Sequence, residues 1–216
     1  MPDPTVHTLR VERTARVATL GRPATTSTWW VGLHGYGQLA PDFAQSLAPL
    51  ARPDRCVVAP EGLSRFYVDG MDTHEQVGAS WMTREARDAE IHDYVRALDA
   101  TVRHLAGDDA PTTLCALGFS QGAATASRWA LLGDTAVDRL VLWGGAPAHD
   151  LDLSEHVDRL RALDLTLIAG TEDPYVTDER RAALQRRLQT HDIPATFRSF
   201  DGGHQLDAAM LRTLTS

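Results

Sequence analysis

Apolar positions along this chain fall into two alternating patterns. Short, nearly continuous apolar runs at 29–33, 56–59, 113–117, 139–143, 165–169 and 195–200 have the length of strands buried on both faces. Between them lie stretches in which apolar residues recur every third or fourth position, predicting helices near 42–51, from Thr83 onward, and near 121–132, 154–163, 177–190 and 206–214. The clearest is the helix that begins at Thr83, where Ile91, Tyr94, Val95, Leu98, Val102 and Leu105 form one apolar stripe. Strand and helix signals in alternation predict an α/β fold, a mostly parallel sheet covered by helices on both faces. Ahead of it, 6–11 and 15–20 alternate in polarity and predict an N-terminal antiparallel β-hairpin within about residues 5–20.

The segment 61–82 stands outside this rhythm, being too long for an ordinary connection. It carries Phe66, Tyr67, Met71 and Trp81 with three glycines. Two readings follow: a surface loop packed by its own aromatics, or a wall of a substrate pocket, because it follows a strand whose C-terminal end faces the ligand side of such a sheet. Nothing in the remaining pattern suggests a repeat, a low-complexity tract or a linker, so residues 1–216 read as one domain, long enough to bury its own core.

Composition narrows the chemistry. Lys plus Arg number 21 against 29 Asp plus Glu, a net charge of −8 with no sustained basic patch, which argues against nucleic acid and anionic membranes as partners. Lysine is absent, which removes Schiff-base chemistry and the phosphate-loop lysine. Cys56 and Cys115 each sit inside an apolar run and read as buried free thiols. No C-x-x-C, H-x-H or H-E-x-x-H occurs, so no metal site is expected. The start of the chain has neither a basic nor an apolar leader segment, and no run approaches a membrane span. A cytoplasmic enzyme, monomeric or homodimeric, is the expectation.

Candidate chemistry centres on Gly118-Phe119-Ser120-Gln121-Gly122, a G-x-S-x-G between a predicted strand and a predicted helix. That context makes a sharp turn presenting Ser120 as a nucleophile. A serine hydroxyl needs a general base and a group to orient it, in the chain order Ser, acid, His. Asp173, in the loop after the 165–169 strand, is the acid candidate, with Glu172 as its neighbour and alternative. His204, preceded by Gly202 and Gly203 after the last strand, is the base candidate. Early in the chain His34-Gly35-Tyr36-Gly37 follows a strand and predicts an oxyanion loop. Its backbone N–H donor is assigned to Tyr36, with the N–H of Gln121 as the second donor, and His34 reads as a residue that holds the loop.

The blocks His34-Gly35-Tyr36-Gly37, Ala79-Ser80-Trp81-Met82, Gly118 to Gly122, Gly170-Thr171-Glu172-Asp173-Pro174 and Gly203-His204 resemble, in the same order, those of the phospholipase/carboxylesterase family of small α/β-hydrolases, which includes acyl-protein thioesterases. The resemblance covers the chain from about Thr28 onward. It implies a lidless α/β-hydrolase fold, a serine esterase acting on a small-molecule ester with Ser120, Asp173 and His204 as triad, and no cofactor. It also implies Trp81 as a substrate-pocket residue; Trp143, at a strand end before two glycines, is a second candidate. Family members acting on acyl-proteins carry an aspartate where this chain has Gln38, and a Pro-Ser-Trp-Phe-Asp block where it has Ala79-Ser80-Trp81-Met82-Thr83. A serine carboxylesterase is accordingly the reading, with acyl thioesterase or lysophospholipase on the same triad as the alternative, and a peptidase, an acyltransferase or a non-catalytic scaffold behind them.

Overall fold

The computed structural model describes residues 3–70, 73–107 and 109–215. Among these residues nine strands form: β1 (Val17–Leu20), β2 (Thr28–Leu33), β3 (Arg55–Pro60), β4 (Ser64–Tyr67), β5 (Val77–Ser80), β6 (Thr113–Phe119), β7 (Arg139–Trp143), β8 (Asp164–Gly170) and β9 (Thr196–Phe200). Six α-helices accompany them: α1 (Ala40–Ser46), α2 (Arg87–Ala106), α3 (Gln121–Leu132), α4 (Val157–Ala162), α5 (Asp178–Thr190) and α6 (Ala208–Thr213). The main sheet has seven strands in the order β1-β3-β2-β6-β7-β8-β9, every neighbouring pair parallel except β1 with β3.

Alternation along each strand sorts its side chains between two cores. Trp29, Val31 and Leu33 of β2, Leu114 and Ala116 of β6, Leu140 and Leu142 of β7, and Leu165 and Leu167 of β8 point to one face, where Tyr94 and Leu98 of α2 and Ala126 and Trp129 of α3 cover them. Trp30, Leu117, Val141, Trp143 and Ile168 point the other way, under Phe43 and Leu47 on the α1 side and Leu211 of α6. A strand covered on both faces leaves no polar position, which is why these segments read as continuous apolar runs. Cys56 and Cys115 lie within the sheet, buried and unbonded to one another, and burial pushes the Cys115 thiol up to about 11.

Asp99 of α2 fastens the end of α3. Its carboxylate accepts from Trp129 Nε1, from the N–H groups of Asp134 and Thr135, and from the Thr135 hydroxyl. Burial opposes its ionisation, but these donors outweigh it and hold the carboxyl below the usual aspartate range.

Three expectations change. The N-terminal hairpin over 5–20 does not form: 6–11 carry no strand, Val6, Leu9 and Val11 are exposed, and β1 pairs instead with β3 from Val17↔Pro60 to Leu20↔Val57. A two-stranded ribbon with no face to cover is marginal in water, whereas joining the sheet edge satisfies the same backbone groups over a core. The segment 61–82 is no structureless loop, since β4 and β5 pair antiparallel within it from Ser64↔Ser80 to Tyr67↔Val77. Met71 lies outside the described residues. The helix predicted from Thr83 begins four residues later, at Arg87, because Ala86 is left-handed at φ 47°.

Candidate active site

β6 ends at Phe119 and α3 begins at Gln121, so Ser120 alone makes the turn. It does so at φ 55°, ψ −116°, a conformation that costs about 1–3 kcal/mol in a residue with a side chain. The strain is held by the Ser120 N–H, which donates to Trp143 O at 2.8 Å, and by the packing of strand against helix. That packing needs glycine: a β-carbon at Gly118 would lie 2.1 Å from Gly122 O, and one at Gly122 would lie 2.0 Å from Leu33 O.

The parallel order of the sheet brings the loops after β8 and β9 to the same end. His204 Nε2 lies 2.8 Å from Ser120 Oγ, and His204 Nδ1 lies 2.8 Å from Asp173 Oδ2. With the carboxylate accepting from Nδ1–H, Nε2 is left as the acceptor for the serine hydroxyl. Asp173 is buried, and its Oδ1 accepts from the Tyr175 N–H at 2.8 Å. Glu172 is exposed, and its N–H donates to Gly202 O, which ties the two loops together. The imidazole is packed between Phe119, 5.0 Å away between ring centroids, and the edge of Tyr175, at 4.7 Å.

The 34–38 loop faces this serine turn with the N–H groups of Gly35, Gly37 and Gln38 engaged. Gly35 N–H donates to Gln38 Oε1 at 2.8 Å, Gly37 N–H to Ala79 O at 2.9 Å and Gln38 N–H to Gly35 O at 3.3 Å. Neither Tyr36 N–H nor His34 N–H has an acceptor among the bonds of the described residues, and of the two only Tyr36 belongs to an exposed residue. The Gln121 N–H, at the first position of α3, has no intrahelical partner either.

The sequence pattern of the phospholipase/carboxylesterase family matches residues 25–216, which includes every one of these groups. The chain belongs to the phospholipase/carboxylesterase family. Its fold is that of an α/β hydrolase, shared with solved structures of esterases and thioesterases. Esterase PE8 superposes with a TM-score of 0.68 over 94% of this chain and 97% of that one, at 22% identity. Acyl-protein thioesterase 2 of Zea mays gives 0.69 over 94% and 98%, at 18% identity. A Bacillus cereus carboxylesterase gives 0.65 over 93% and 92%, at 16% identity. Among proteins of curated function, none matches the sequence.

In this phospholipase/carboxylesterase-family chain the two tryptophans expected to line a substrate pocket are tied to loops of the site. Trp81 is 3% exposed; its Nε1–H donates to His34 O at 2.8 Å and its ring lies on the His34 imidazole at 4.8 Å. Trp143 is fully buried, and its Nε1–H donates to Gln205 O at 2.8 Å beneath the His204 loop. Trp143 has no exposed surface, and the little that Trp81 has lines a cavity between residues 9–17 and α2. Both fix loops of the site from below, a role that an apolar residue with one donor suits well.

His34 is the centre of the 34–38 support. Its Nε2 accepts from Gly62 N–H at 2.9 Å, so Nδ1 carries the hydrogen and donates to Gly35 O at 2.7 Å. Burial pushes its pKa below the ordinary imidazole value and keeps it neutral. Three contributors were not legible in the sequence. The Gln121 side chain accepts from Trp81 N–H at 3.2 Å and donates to Met82 O at 2.9 Å, tying the start of α3 to the end of β5. Buried Glu61 accepts from Ala40 N–H and pairs with Arg16 and Arg65. Tyr175, whose spacing of two after Asp173 was the only available signal, covers the imidazole.

Among the described residues no cluster of three or more His, Cys, Asp or Glu could hold a metal ion, and no helix is long and apolar enough to cross a membrane.

Proposed function

We propose that this family member is a serine carboxylesterase, a single catalytic domain that hydrolyses a small-molecule ester through an acyl-enzyme on Ser120. The observation that carries the reading is the unbroken chain from Asp173 Oδ2 through His204 to Ser120 Oγ, with both links at 2.8 Å. In acylation Ser120 Oγ bonds to the ester carbonyl carbon while its proton passes to His204 Nε2. The carbonyl oxygen takes the displaced electron pair and is held by the N–H groups of Tyr36 and Gln121, a contribution of roughly 3–4 kcal/mol per donor in comparable sites. Asp173 keeps the imidazole in the right tautomer and stabilises the imidazolium.

Collapse of the intermediate breaks the bond to the leaving oxygen, which takes the proton from Nε2 and departs as the alcohol. Water then attacks the acyl-enzyme, gives a proton to Nε2, and collapse releases the carboxylic acid as Ser120 recovers its hydrogen. Water is the only co-reactant, and no metal or cofactor enters a step. Hydrolysis of p-nitrophenyl acetate and butyrate by purified protein tests the reading: wild type should turn over both, and Ser120→Ala should lose activity by about 10⁴-fold or more while melting as wild type does. Full activity in Ser120→Ala would overturn it.

A further inference from the structure

We infer that an apolar cavity beside the triad receives the leaving group of the ester, a compact uncharged alkyl or aryl alcohol; this rests on the Ser120 reading above. The cavity, of about 280 Å³, lies between α5 and the ends of β7 and β8, and its walls include Gly144, Leu167, Tyr175, Val176, Leu184 and Phe197. At about 30 Å³ for a water-sized group, it has room for roughly nine of them. Leu184 of α5 and Phe197 of β9 pack with Leu167 of β8 into one apolar cluster, so this part of the wall is hydrocarbon. Gly144 and Gly145 bring no side chain to its inner end.

Two contacts put the cavity against the imidazole. Tyr175 both lines it and packs edge-on against His204. Gly144 comes so close that a β-carbon there would lie 2.9 Å from His204 Cε1. Because the imidazolium hands its proton to the leaving oxygen, that oxygen and the group bonded to it must lie beside the imidazole. The carbonyl oxygen is drawn instead to Tyr36 and Gln121, which do not line the cavity, and Ser120 and His204 adjoin it only across Gly144, Gly145 and Tyr175. The wall also carries Arg180, whose guanidinium donates to Tyr175 O at 3.0 Å, and Arg181. Two positive charges at an apolar slot disfavour a cationic alcohol relative to a neutral one of the same shape.

The test uses two ester series, acetates of ethanol to hexanol and ethyl esters of acetic to hexanoic acid, with wild type, Leu184→Trp, Val176→Phe and Leu184→Ala, each checked by its melting transition. Filling the cavity with either large residue should lower the ratio of kcat/KM for hexyl acetate over ethyl acetate by about tenfold or more. The ratio for ethyl hexanoate over ethyl acetate should hold. Leu184→Ala should shift the preferred alcohol toward greater length, and wild type should favour the uncharged carbon isostere of acetylcholine over acetylcholine by about tenfold. A shift confined to the acyl series would place the acyl chain there and overturn the inference, as would variants that move neither ratio. If wild type hydrolyses no ester in either series, the Ser120 reading itself fails and this inference with it.

Discussion

Around Tyr36 the chain is fixed by side chains reaching in from distant segments: His34 takes the Gly62 N–H, Trp81 holds His34 O, and Gln121 clasps Trp81 and Met82. Around His204 the support is mostly main chain from two adjacent loops. Thr171 and Glu172 donate to Phe200 O and Gly202 O, Tyr175 N–H caps Asp173, and from the sheet Trp143 reaches Gln205 O while Phe119 packs on the imidazole. Tyr36 itself is exposed, but beneath it His34 and Trp81 are buried and cross-linked, so a side chain lost from these supports leaves an orphan inside the protein. At the second, Tyr175 and Glu172 are exposed and their loss is met by water, and buried Asp173 can be exchanged for an amide that keeps the acceptor for Tyr175 N–H; fully buried Trp143 is the exception. Changes on the oxyanion side should therefore cost stability together with activity, and changes on the histidine side should cost activity alone.

The largest expected effect is on the histidine side. Asp173→Asn keeps the acceptor for Tyr175 N–H but removes the charge that orients His204, and kcat for p-nitrophenyl acetate should fall about 10⁴-fold with little change in melting. An equal loss of stability would erase the contrast between the two regions. Next is Trp81→Ala, which empties a buried site and orphans His34 O; urea unfolding should show a loss of about 3–5 kcal/mol. Short and long esters should slow in equal proportion among folded molecules, and a change in their ratio would return Trp81 to the substrate pocket.

A pH series sharpens the oxyanion side further. His34 has a folded pKa below its unfolded value of about 6.5 because it is buried, so below that pH the unfolded chain binds a proton that the native state refuses. The unfolded state then binds more protons, and stability falls as pH drops from about 6.5 toward the lower folded value. Urea midpoints should decline over that window in wild type, and His34→Gln should be flatter there. The smallest effect is expected from Glu172→Ala, which removes an exposed side chain next to the acid. It should change kcat/KM by less than tenfold, under about 1.4 kcal/mol.

The same contrast decides what could be read from the sequence. The strands and helices of the main sheet were visible in their apolar periodicity, and Ser120, Asp173 and His204 were singled out by chain order and by glycines at turns, which are local signals. Structure now brings those three side chains within hydrogen-bond distance. The supports of the 34–38 loop are contacts between residues far apart in sequence, such as Trp81 with His34 and Gln121 with Met82, and no local pattern encodes them. The carbonyl contacts of Trp81 and Trp143 are likewise illegible, because an aromatic near a strand end looks alike in sequence whether it faces a ligand or a carbonyl beneath a loop. The pairing of β4 with β5 escaped because each strand has four residues with no sustained alternation, and the expected hairpin at the N-terminus failed because β1 had a better partner in β3.

The central claim is that Ser120 is the nucleophile activated by His204. Intact-mass spectrometry after brief exposure to a fluorophosphonate ester, followed by peptide mapping, tests it most directly. Wild type should gain one adduct, on Ser120, while His204→Ala should label far more slowly and Ser120→Ala should gain none. An adduct on a different residue, or ester hydrolysis that persists in Ser120→Ala, would contradict the account.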